Sequence, residues 1–296
     1  MFNSSSIILS QVTPPAQRSN VLHRERVSQL LSDALNYPVT ILNAGTGYGK
    51  SIALLSFISE LKVPIFWFSV SGTDRDETLF LTNLFTAFNQ TEHPLGTEAL
   101  RILKTPDIDP LEALIALVNS ITTEMTEPCL LIIDDFQYVA DLSPVLHLMD
   151  WFIEYLPPPL HIIFSTRTPI DFPSLHRWIA KGTVLMLSKN DLMFTPEEIE
   201  ALFQSQYHVK LNPQEVGQLH QRTEGWVIGL QMIWQAMKNH PDESLSQILE
   251  EGSESSANLF AYLAEEVLEK QPSKYKNFLV KTSILRFLDI DACDFY

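Results

Sequence analysis

Cysteine is nearly absent: Cys129 and Cys293 are the only two in 296 residues. That excludes a disulfide framework and any zinc-ligand spacing. Cys129 opens an apolar run and is read as a small buried residue. Basic residues are also short, with 20 Lys and Arg against 36 Asp and Glu and a net charge of −16. Gripping nucleic acid needs clustered cations to neutralise phosphates, so this segment is not expected to do so. DNA contact would have to come from a basic domain outside it. No apolar run approaches the roughly 20 residues that span a membrane. The first twenty residues, with Ser4-Ser5-Ser6 and Pro14-Pro15, lack the basic start and long apolar centre of a signal peptide. A cytoplasmic protein with a flexible tail over residues 1–20 is the expectation. Hydrophobic residues at 45% and charged residues at 19% allow one large domain and one or two small ones.

The stretch Ala44-Gly45-Thr46-Gly47-Tyr48-Gly49-Lys50-Ser51 follows the apolar run Val39-Thr40-Ile41-Leu42 and precedes the helix-prone run Ile52–Ile58. That is the strand, glycine loop and helix of a P-loop. Glycines let the backbone turn its N–H groups around phosphate oxygens, and the helix aims its positive end at them. Gly45 through Ile52 are therefore the candidate phosphate contacts. Lys50 is placed to reach the terminal phosphates and Ser51 to hold Mg²⁺. Ala44 stands where the motif has its first glycine.

From residue 21 to about 191, strands alternate with helices, as in a parallel sheet covered on both faces. Strands are expected at Val39–Leu42, Ile65–Val70, Leu130–Ile133, His161–Ser165 and Thr183–Leu187. Helices are expected at Gly49–Leu61, Glu77–Phe88, Leu111–Thr123 and Ser143–Tyr155. Beyond Asp191 the strand signal vanishes. Thr195-Pro196-Glu197-Glu198 is a helix start, with a capping hydroxyl, an N1 proline and first-turn acids. Helices Pro196–Gln206, Pro213–Arg222, Trp226–Lys238, Asn258–Lys270 and Ser273–Lys281 follow. The fold class is thus α/β, a P-loop NTPase with a five-stranded parallel sheet over 21–191, then an all-α domain over 192–250.

Leu130-Leu131-Ile132-Ile133 ends in the acid pair Asp134-Asp135. Two carboxylates at the end of an apolar strand call for a compensating cation. Asp134 is the candidate Mg²⁺ residue, and Asp135 the candidate to orient or deprotonate an attacking water. His161–Ser165 exits into Thr166-Arg167. In P-loop ATPases with an extra strand, such a strand lies between the P-loop strand and the acidic one, so Arg167 is a candidate phosphate sensor. Arg24, or the backbone beside it, is a candidate adenine neighbour. Phe66-Trp67-Phe68 reads as core, and the acids Glu250, Glu251 and Glu254 as a solvated linker.

Together these motifs resemble the large ATP-binding LuxR-type transcription regulators of the maltose-regulon activator group, within the signal-transduction ATPases called STAND. The markers are Gly47-Tyr48-Gly49-Lys50, with alanine common at the place of Ala44; Trp67-Phe68-Ser69-Val70 with Asp74-Arg75-Asp76; Ile133-Asp134-Asp135-Phe136-Gln137; and Ser165-Thr166-Arg167. Further markers are Asp191–Glu198, Thr223–Leu230, Tyr262–Leu268, Phe278-Leu279 and Thr282–Leu285. The resemblance implies a nucleotide-binding domain, a helical domain and the start of a winged-helix domain over 251–296 that Tyr296 interrupts, in a fragment or a truncated relative. It also implies a later sensor and DNA-binding module, and a base contact near Gly225-Trp226-Val227, here assigned to Val227. His23 departs from the glycine that related switches often carry before Arg24. The implied function is a slow ATP/ADP switch whose ATP form self-associates. A STAND ATPase with a non-transcriptional output such as defence signalling, a nucleotide-holding scaffold and a P-loop small-molecule kinase are the alternatives.

Overall fold

A computed structural model describes residues 7–16, 21–91, 94–249 and 273–283. The chain divides into two compact units, Met1–Met193 and Phe194–Tyr296. The first holds a five-stranded sheet of β1 (Val39–Asn43), β2 (Ile65–Ser69), β3 (Cys129–Asp134), β4 (Leu160–Thr166) and β5 (Val184–Ser188). All pairings are parallel and the order is β2-β3-β4-β1-β5. β4 therefore lies between the P-loop strand and the acidic strand, as expected.

The strands are buried on both faces, which is why they read as continuous apolar runs. One face carries Ile41, Phe66, Phe68, Leu131, Ile133 and Phe164. It packs against α3 (Glu77–Ala87), α4 (Thr97–Leu103), α5 (Pro110–Glu124) and α6 (Ser143–Glu154). The other carries Leu42, Trp67, Leu130, Ile132 and Ile163, under α1 (Glu25–Ser32) and α2 (Lys50–Glu60). Phe66-Trp67-Phe68 is core, with Trp67 on the opposite face from its neighbours. The short helices α4 and α7 (Leu175–Ala180) escaped the sequence reading, because one or two turns bury too few residues to show a period.

Part of the expected tail is built into this unit. Leu9–Gln11 forms a 3-10 turn, Val12 is fully buried, and Gln11 donates through Nε2 to Ser71 Oγ at 2.8 Å. The unit ends at Met193, just after α8 (Lys189–Leu192) and two residues beyond the boundary expected from sequence.

In the second unit the described residues form α9 (Pro196–Gln206), α10 (Pro213–Thr223), α11 (Val227–Asn239), α12 (Leu245–Ile248) and a further helix over Ser273–Thr282. Thr195 caps α9 and Asn212 caps α10 through reciprocal capping boxes. The expected helix Asn258–Lys270 and most of the expected winged-helix segment lie outside the described residues.

Candidate nucleotide-binding site

β1 delivers the chain to the loop, and the loop turns where glycine permits. Gly47 and Gly49 both take φ 79°, a region L side chains rarely enter. Gly49 caps α2, so the free N–H groups of that 11-residue helix face the loop. Ala44 donates its N–H to Thr166 O at 3.1 Å and is buried in the α1–α2 cluster. Its methyl fills core space, which is how alanine serves where the motif has glycine.

Lys50 is 7% exposed and donates through Nζ to Ala44 O at 2.7 Å and Gly45 O at 3.2 Å. Burial first, and then the Arg167 charge, pushes it down to about 8, against the pull of Asp135 and Asp134. Its ammonium thus lies under the loop with its charge poorly compensated, which is the electrostatic demand that phosphate would meet.

Ser51 donates through Oγ to Asp134 Oδ2 at 2.6 Å. Burial, and then the charge of Asp135, raises the Asp134 carboxyl above the ordinary range, while Ser51 and the Asp135 N–H oppose that. A hydroxyl and an under-compensated carboxylate in contact fit a divalent cation that completes its shell with phosphate oxygens and water. The described residues contain no cluster of three or more His, Cys, Asp or Glu side chains for a metal, so the protein's own share would be Ser51 and Asp134.

Asp135 takes the left-handed conformation, φ 57°, which turns its side chain out of the strand. Its carboxylate accepts from Gln137 Nε2 at 2.8 Å and lies 3.5 Å from the Arg167 guanidinium. Arg167, leaving the end of β4, also donates to Thr46 Oγ1 at 3.2 Å. The ends of β1, β3 and β4 thus bring together Thr46, Lys50, Ser51, Asp134, Asp135 and Arg167. Gln137 was the residue to which the sequence reading gave no site role. Its signal was its place two residues after the acid pair.

Other expected contacts have different surroundings. Ile52, in the first turn of α2, is 45% exposed. Arg24 donates to Leu192 O and Met193 O, both at 2.9 Å. Arg26 donates to Asp191 O at 2.9 Å and Met193 O at 2.8 Å. The Arg24 guanidinium is thus held by the carbonyls at the end of α8. Val227 begins α11 in the second unit, after Glu224 at φ 49° and Gly225 at φ 72°. A Cβ on Gly225 would meet Phe194 O at 2.4 Å, so that turn needs glycine.

A phosphate loop, a paired acid strand and a polar strand between them define the fold of a P-loop NTPase. The folds of several solved structures agree. A STAND protein with a tetratricopeptide repeat sensor from Pyrococcus horikoshii superposes with TM-score 0.57 at 18% identity, over 95% of this chain and 37% of that one. The Walker-type ATPase of Pyrococcus abyssi gives 0.56 at 16% identity, over 92% and 82%. No protein-family model matches the chain. In sequence it is similar to HTH-type transcriptional regulators named MalT. That of Vibrio parahaemolyticus is 24% identical over 281 residues, 94% of this chain and 30% of the relative. That of Yersinia enterocolitica is 25% identical over 285 residues, 96% and 31%. The similarity to these regulators runs through nearly the whole of this chain. It spans about 30% of the length of those relatives. No helix among the described residues is long and apolar enough to cross a membrane.

Proposed function

We propose that the chain is the ATP-binding, slowly hydrolysing switch module of a cytoplasmic transcriptional regulator. The observation that carries the reading is the buried Lys50 under the loop beside the Ser51–Asp134 pair. In this reading the loop N–H groups and Lys50 bind the phosphates. Mg²⁺, held by Ser51 and Asp134, would neutralise phosphate charge. Asp135 orients the attacking water and accepts its proton, and Arg167 reports whether the terminal phosphate is present. Within the first unit, the base contact is assigned to Arg24 or the backbone beside it. ADP favours an inactive monomer, ATP an associating form, and hydrolysis resets the equilibrium through the nucleotides' different affinities for the two states. DNA would be engaged only by a domain other than this one.

Phosphate release without any acceptor molecule, followed alongside sedimentation in ADP and in a non-hydrolysable ATP analogue, tests this. The expected result is slow release lost in Asp135→Asn, with heavier species only in the ATP state. Release at equal rates by both proteins, release that requires a small-molecule acceptor, or identical sedimentation in the two nucleotides would contradict it.

A further inference from the structure

Gln137 bridges two groups that the proposed reaction uses. Its Nε2 donates to Asp135 Oδ1 at 2.8 Å, and its Oε1 accepts the backbone N–H of Arg167 at 3.0 Å. The amide can face only one way. The Arg167 N–H must meet oxygen and the carboxylate must meet N–H, so a flipped amide would lose both bonds. The side chain is held from below: Phe136, its neighbour in the 3-10 turn Phe136–Tyr138, is fully buried against Phe164 of β4, with ring centroids 5.0 Å apart. Asp135 needs such a hold. It sits in a left-handed conformation, and the Arg167 guanidinium, 3.5 Å away, is itself shared with Thr46.

We infer that Gln137 is a positioning residue that sets the Asp135 carboxylate and the Arg167 loop in one register, coupling water activation to phosphate sensing. This rests on the function proposed above. The donor end serves Asp135 and the acceptor end serves Arg167, so the two services separate by substitution. Gln137→Ala removes both. Gln137→Glu keeps an acceptor for the Arg167 N–H but replaces the donor to Asp135 with a second carboxylate that repels it.

The test measures kcat and KM for ATP, and the ratio of ATP to ADP affinity, in the wild type and both variants. Gln137→Ala is expected to lose about tenfold to hundredfold in kcat, the worth of an orienting hydrogen bond to a charged group. It also narrows the ATP-to-ADP ratio. Gln137→Glu loses similarly in kcat yet keeps the wild-type ratio. Both keep KM within about threefold and melt within a few degrees of the wild type, as partly exposed substitutions do. A wild type that turns over while Gln137→Ala matches its kcat overturns the coupling alone, as does Gln137→Glu losing kcat and ratio together. A wild type with no turnover removes the proposed reaction, and the coupling with it.

Discussion

Replacing Lys50 by Met should stabilise the empty protein while abolishing its response to nucleotide. Lys50 is 7% exposed and its ammonium is pushed from an ordinary 10.5 to about 8. That gap is a cost of about 3 kcal/mol for holding the charge in the folded state at neutral pH. Methionine has similar length and no charge, but it leaves the carbonyls of Ala44 and Gly45 without their donor, a loss of about 1 kcal/mol. The net gain of about 2 kcal/mol would raise the first unit's melting temperature by roughly 5 °C. The sign with pH follows. Between about 8 and 10.5 the folded protein has released a proton that the unfolded chain retains, so wild-type stability rises with pH and the advantage of Lys50→Met closes. Nucleotide acts oppositely. At about a hundred times its dissociation constant, MgADP should stabilise the wild type by about 2.7 kcal/mol, and the variant by almost nothing. Denaturant melts at neutral and alkaline pH, with and without MgADP, supply all four comparisons. A less stable variant at neutral pH, an advantage that does not close, or equal stabilisation of both proteins by nucleotide would refute the reasoning.

Three further outcomes are expected. Arg167→Ala should weaken ATP by about tenfold and ADP by less than about twofold, as loss of one charged contact to the terminal phosphate requires; competition titrations measure this. Gly225→Ala should destabilise the second unit by about 2–4 kcal/mol in urea melts, because the site has φ 72° and Phe194 O lies 2.4 Å from the new methyl. Burial pushes the Cys129 thiol up to about 12, so in a Cys293→Ser background a thiol reagent should react only as fast as the protein unfolds.

The phosphate half of the site was legible because its chemistry is local. Glycine spacing, Lys50 and Ser51 sit within one turn and one helix start, and Asp134-Asp135 closes a single apolar strand. The rest depends on pairings that leave no sequence mark. Arg24 and Arg26 spend their donors on backbone carbonyls of residues 191–193, which any residue could supply. Gln137 matters only because Phe136 is anchored beneath it and β4 brings Arg167 alongside. Val12 follows the apolar run Ile7-Ile8-Leu9, yet those three stay exposed and Val12 alone fills core space, a difference that composition does not mark.

Calorimetric titration of ADP and ATP, with Mg²⁺, into the wild type and Lys50→Ala tests the central claim most directly. The wild type should bind each nucleotide at one site per chain, and Lys50→Ala should lose that binding. Equal weak binding by both proteins would contradict a nucleotide site built on this loop.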